Sequence, residues 1–230
     1  MYVRGVVALV CAGVLVAGCS AQAGPPAAPV VSEDPAVAAA AVVARLALGE
    51  QVTGPAGLVP AGEPETGVQP LVECRELASA GQALAGRTQR WTWTAPDGRT
   101  ATYSLYGVVY QGVAAREVVK QARVVSECYP RQHDPSGYDR QRYSEESLPS
   151  TRPIIDDRFG YCERDPVDYG LTIDQYLATP YEYRCTALFA HGNKVLRFHY
   201  VSSIDRKTAG SGQPSVHTLA QSLVDLIVAA

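Results

Sequence analysis

Residues 183–203 read YRCTALFAHGNKVLRFHYVSS: two runs of aromatic, aliphatic and β-branched residues hinged on His191-Gly192-Asn193. A turn tripeptide between such runs predicts a β-hairpin, Tyr183 to Ala190 against Lys194 to Ser203, with Leu196, Phe198 and Tyr200 on one face. Upstream, Arg90 to Thr94 alternates Trp91 and Trp93 with polar neighbours, Pro96-Asp97-Gly98 turns the chain, and Thr100 to Tyr110 returns as a second hairpin. Each hairpin leads into a helical pattern. Residues 112–127 place Val113, Val118, Val119, Ala122 and Val125 close to helical spacing, and residues 214–229 do the same with Val216, Leu219, Leu223, Leu226 and Ile227. A first helix is expected over residues 36–48, capped by Asp34, opened by Pro35 and stopped by Gly49, with Val37, Val42, Val43 and Leu46 available for burial. Hairpins joined to single helices predict an α+β fold, an antiparallel or mixed sheet with helices packed mainly on one face.

The 230 residues are 47% hydrophobic and 19% charged, enough apolar side chain for one real core and too little charge for a disordered chain. With 20 basic against 23 acidic residues the net charge is −3, which offers no pull on nucleic-acid phosphates, so no nucleic-acid partner is expected. Residues 1–18 read as an export signal: Arg4, an apolar run from Gly5 to Ala17, then Val16-Ala17-Gly18 before Cys19. That ending matches a bacterial lipobox, which makes Cys19 the expected lipidation site and the membrane the first partner. Two acyl chains from a diacylglycerol hold a protein stably where one does not. Residues 19–33 are rich in Ala, Pro, Ser and Gly and read as a flexible tether, leaving residues 34–230 as a single extracytoplasmic domain.

Four further cysteines, Cys74, Cys128, Cys162 and Cys185, lie in that domain with no C-x-x-C pair among them. A zinc or thioredoxin-type motif is therefore unsupported, and in an exported chain two disulfides are the expectation. Three pairings are open; the sequential one, Cys74 with Cys128 and Cys162 with Cys185, closes the shortest loops, each contributing on the order of 3–4 kcal/mol.

No short motif names a reaction. There is no G-x-S-x-G elbow, no phosphate-cradling G-x-x-x-x-G-K and no H-E-x-x-H, and His133, His191, His199 and His217 never pair at i, i+4. His199 reads as a structural residue opposite Phe198 on its strand, and His191 as a turn residue. No metal or cofactor is expected. The segment from Tyr129 to Tyr183 is different, since it holds eight of the 13 tyrosines together with acidic and arginine-rich pieces such as Glu145-Glu146, Asp156-Asp157-Arg158 and Glu163-Arg164-Asp165. Tyrosine couples a flat apolar face to a hydrogen-bonding tip, which suits recognition of a sugar, a ring or another protein. Tyr143, Arg158, Tyr161 and Tyr181 are the candidate ligand-binding residues, beside the Arg90 to Tyr110 hairpin. The competing expectation is a long solvated loop whose tyrosines cover a small core.

The strand-to-helix passage Tyr106 to Cys128, and the run from Cys185 through the Gly192-Asn193 turn to a terminal helix, resemble the extracellular sensor domain of mycobacterial receptor serine/threonine kinases, which also occurs in free-standing actinobacterial lipoproteins. The resemblance spans about residues 36–230 and implies an α+β domain with sequential disulfides and a cleft for an envelope ligand. The tryptophan often found before the helix-terminal cysteine is replaced here by Val124-Val125-Ser126-Glu127. The reading is thus a lipid-anchored, non-enzymatic sensor-like module of the outer face of the cell membrane, binding an envelope small molecule, glycan or protein. Two other readings stand beside it: an envelope assembly protein presenting an apolar patch, and a hydrolase built on two facing carboxylates.

Overall fold

A computed structural model describes residues 34–73, 75–126, 143–164, 172, 174–175, 181–204 and 213–230. Helix α1 (Pro35–Arg45) opens on Asp34, whose carboxylate accepts from the Ala36 amide at 2.9 Å, and a single turn, α2 (Glu50–Thr53), follows. Two short edge strands, β1 (Val59–Pro60) and β2 (Glu65–Thr66), precede the long hairpin β3 (Ala83–Thr94) and β4 (Thr100–Tyr110). Helix α3 (Ala115–Val125), strands β5 (Tyr143–Glu146) and β6 (Asp157–Arg164), the hairpin β7 (Tyr181–His191) and β8 (Lys194–Ile204), and helix α4 (Val216–Ala229) complete the described elements. All ladders are antiparallel, and the strands run in the order β1-β3-β4-β8-β7-β6-β5, with β2 also pairing β3. The α+β expectation and the antiparallel alternative hold.

Both sheet faces carry a core. On one, Ala39 and Val43 of α1 and Val216, Leu219, Leu223 and Ile227 of α4 pack with Leu105, Phe189, Leu196 and Phe198. On the other, Val118, Val119 and Ala122 of α3 pack with Val108, Phe159, Leu188 and Val195. Helices therefore cover both faces, which corrects the expectation of one main helical face. The reason lies in the strands: β4, β7 and β8 carry apolar residues at both parities, as in Val195-Leu196, and the second apolar row needs its own cover. Each fully buried Leu, Ile or Phe in these layers contributes about 1.5–3 kcal/mol.

Helix α1 is shorter than its sequence pattern. It stops at Arg45, and Leu46 and Leu48 leave the helix to enter the core, Leu46 lying over Gly107 and the Leu48 amide donating to Gln89 Oε1 at 3.1 Å. The stretch Pro35–Thr53 is long and apolar enough to cross a membrane, yet Ala39, Val43, Leu46 and Leu48 are spent on the sheet, so it serves as a core element.

Strands β5 and β6 replace part of the expected solvated loop in the tyrosine-rich segment. The 162–185 disulfide is formed, joining directly opposed residues of β6 and β7 within the core that faces α4. One of the two expected disulfides is thus present among the described residues; Cys74 and Cys128 lie outside them, as do Cys19, the leader and the tether.

Candidate functional site

Alternation along each strand fixes which side chains share a face. On the α3 side, the rows nearest the β7–β8 turn are apolar and covered: Val108, Val195 and Ala190, then Tyr106, Leu188 and Phe159. Two residues further along, the composition changes. Arg90, Ser104, His199, Thr186 and Tyr161 form one cross-strand row over five neighbouring strands, and Thr92, Thr102, Val201, Arg184, Glu163 and Tyr143 form the next. This half of the face is a polar floor. At its β3–β4 end Arg90, Thr92 and Thr102 are exposed, whereas Thr186, Tyr161 and Glu163 at the other end are buried.

Arg197 stands where the apolar and polar halves meet. Its Nη1 donates to the Pro70 carbonyl at 2.8 Å, and its guanidinium lies 5.5 Å from the centre of the Tyr106 ring. Nε is buried with no partner among the described residues. Burial pulls this guanidinium below its ordinary value, and the Glu73 carboxylate opposes that pull. Tyr106 reaches this position because Gly86 has no side chain: a Cβ there would sit 2.6 Å from both the Tyr106 hydroxyl and the Gly67 carbonyl. The same hydroxyl accepts from the Gln69 amide at 2.9 Å, tying residues 67–73 to the floor's edge beside a cavity of about 380 Å³ lined by Gln69, Leu71, Glu73, Leu77 and Tyr110.

A hydrogen-bond relay crosses the floor. The Tyr161 hydroxyl bonds to Thr186, and Thr186 Oγ1 lies 2.9 Å from His199 Nδ1. Burial pushes the Tyr161 phenol up to about 12, with Glu163 adding to the rise and the Thr186 bond opposing it. Burial, reinforced by the positive charge of Arg197, lowers the His199 imidazole to about 4, so it is neutral at physiological pH. A hydroxyl and an imidazole at this distance have the spacing of a nucleophile and its base, but a base of so low a pKa is poorly matched to neutral pH.

The candidate residues read from the sequence separate in the fold. Tyr143 and Tyr161 come together, ring centres 5.5 Å apart, and Tyr161 continues the stack onto Phe159 at 5.5 Å. The Tyr143 hydroxyl is 2.8 Å from Ser126 Oγ at the end of α3. Arg158 has the opposite parity on β6 and points to the other face, where Nη1 donates to the Pro149 carbonyl at 2.6 Å. It does not share a pocket with the tyrosines. Tyr181 opens β7, and its side chain lies outside the described residues. Of the paired acids, Asp156 accepts from the Gly192 amide at 2.6 Å and Asp157 is bound by Arg123 at 3.2 Å, so both hold the chain in place. Arg197, His199 and Thr186 were not singled out as a site by the sequence; the available signal was two polar residues alternating with Leu196, Phe198 and Tyr200 on a strand flanked on both sides. Among the described residues no group of three His, Cys, Asp or Glu side chains is placed to hold a metal ion.

The fold thus defines an antiparallel α+β domain with a polar floor on one sheet face. No family model matches the chain, and no curated protein matches it. Among solved structures the chain is similar to the extracellular domain of PknH from Mycobacterium tuberculosis, with a TM-score of 0.45 and 10% sequence identity over 83% of this chain and 95% of that one.

Proposed function

We propose that this chain is an extracytoplasmic, lipid-anchored binding module of the cell envelope, held by Cys19 and recognising a polar envelope ligand on the floor formed by β3, β4, β8, β7 and β6. The observation that carries the reading is the cross-strand row Arg90, Ser104, His199, Thr186 and Tyr161 with Arg197 behind it. Sheet positions that could bury hydrocarbon are given to groups that pay a desolvation penalty, and a hydrogen-bonding ligand is what such groups serve. The Arg90 to Tyr110 hairpin supplies the exposed end of this surface, and Tyr143 and Tyr161 supply its aromatic border. Among the described residues the exposed large apolar side chains, Val37, Val59, Val68, Val124 and Ile154, sit on five separate segments and give no comparable argument for an assembly patch.

The test is a melting-temperature and tyrosine-fluorescence screen of envelope glycans and lipids against the full chain. A ligand at 100 times its Kd adds about 2.7 kcal/mol, a rise of about 5–10 °C for a domain of this size. The same ligand should lose its effect on Thr102→Trp, which fills the open end of the floor from an exposed position. A screen in which no component moves either signal removes the proposal.

A further inference from the structure

A second concavity lies on the opposite face of the sheet, between the 51–56 segment and the start of α4, with a volume of about 740 Å³. That is within the ~300–1,000 Å³ range of small-ligand sites. Tyr200 and Tyr183 form its floor, Val52, Pro55, Ala56 and Leu219 its apolar walls, and Gln51 and Ser222 its rim. None of the described residues lining it carries a formal charge, in a chain where 19% of residues do. An anionic ligand would find no counter-charge among them.

The floor is built in advance. Tyr200 is 8% exposed and lies against Tyr103, ring centres 5.6 Å apart, and the Tyr103 hydroxyl is fixed to the Pro214 carbonyl at 2.8 Å. The Tyr200 hydroxyl has no protein partner among the described residues, and burial raises its pKa, so it remains a donor. At the start of α4 Ser215 and Thr218 cap each other reciprocally, so the Thr218 amide is already taken by the Ser215 hydroxyl. What remains is an aromatic and aliphatic surface bordered by a phenol, an amide and a hydroxyl, none of them charged.

We propose that this cleft is a second binding site, separate from the polar floor, and that it takes a neutral oligosaccharide. A pyranose ring offers an apolar C–H face to the tyrosine and aliphatic walls, and a ring of hydroxyls to uncharged donors and acceptors, which is the chemistry on display. The proposal does not depend on the floor being a binding surface.

The test is saturation-transfer NMR on the full chain in a sugar-free detergent, with maltotriose and tri-N-acetylchitotriose as neutral probes and tri-galacturonate as the charged one. At least one neutral trisaccharide is expected to receive saturation. Its affinity should fall about fivefold to tenfold in Tyr200→Phe, which loses one hydrogen bond and keeps the ring. Binding should vanish in Ser222→Arg, where a charge and a long side chain enter the cleft from a half-buried helix position, with the melting temperature confirming the fold. Thr102→Trp, on the other face, should bind as the unmodified chain does. Silence from both neutral sugars, unchanged binding in Ser222→Arg, or equal competition by tri-galacturonate would each overturn the assignment.

Discussion

His199 gives the sharpest prediction about this domain. Its imidazole titrates near 6.5 when exposed and at about 4 in the fold, because burial and then the Arg197 charge disfavour the protonated form, with Arg184 acting in the same sense and Glu73 against it. Above pH 6.5 the residue is neutral in both folded and unfolded chains, and folding loses nothing through it. As the pH falls below 6.5 the unfolded chain takes up a proton that the folded chain refuses, so stability drains away until about pH 4. The interval between those values, at 1.36 kcal/mol per pH unit, amounts to about 3 kcal/mol. His199→Gln preserves a polar partner for Thr186 and removes the titration. Urea denaturation of both proteins at pH 7.5, 6, 5 and 4 isolates the effect, since every other group is common to the pair. The expected outcome is a difference in stability that grows as the pH falls, reaching about 3 kcal/mol in favour of the variant relative to its pH 7.5 offset. Parallel stability curves, differing by a constant across the range, would refute the argument that partial burial beside Arg197 holds His199 neutral.

Three further outcomes follow from particular contacts. Gly86→Ala should destabilise the fold by about 1–3 kcal/mol, measured by denaturation, because the new methyl meets both the Gly67 carbonyl and the Tyr106 ring at 2.6–2.7 Å. Replacing Cys162 and Cys185 together by alanine should cost about 3 kcal/mol, the entropy of a loop closed over 23 residues, with an unchanged melting temperature arguing that the bond is not formed in the protein assayed. Cells fed an alkynyl fatty acid should label the mature chain at Cys19 and not label Cys19→Ala; a mature protein that begins elsewhere and carries no label contradicts the anchor.

Much of this architecture was legible because both hairpins announce themselves by turn residues between alternating runs. Gly98 and Gly192 take positive φ at the two turns the sequence marked, and the strands on either side pair in register. The first seven residues of β3 were not legible: apart from Leu84, Ala83 to Gln89 has small and polar side chains with no β pattern, and the strand continues there with the ladder to β4, where Tyr106 lies against Gly86. Strand β6 was hidden for the opposite reason. Its ends, Asp157-Arg158 and Glu163-Arg164, read as solvent-loving, yet Phe159, Tyr161 and Cys162 between them are buried. The end of α1 was misplaced because Leu46 and Leu48 continue the apolar pattern by composition but are drawn out of the helix by the notch at Gly107. As for the polar floor, a residue such as His199 has no local signal of its own; its surroundings come from strands β4 and β7, and only register brings Ser104 and Thr186 to its sides.

The ladder between β4 and β8 is the seam of the whole domain. It joins Ala101 to Ser202 and Val109 to Lys194, so the middle of the sheet is closed by partners that lie far apart along the chain. Each hairpin can zip by itself, but until the two meet, each shows an unpaired, strongly hydrophobic border that another molecule could join. Joining the two hairpins is therefore expected to be a late step of folding, slow in the way that high contact order makes folding slow, and exposed to intermolecular mispairing until it is finished. Two fragments, each carrying one hairpin, would form the natural pair for reconstituting the domain by complementation.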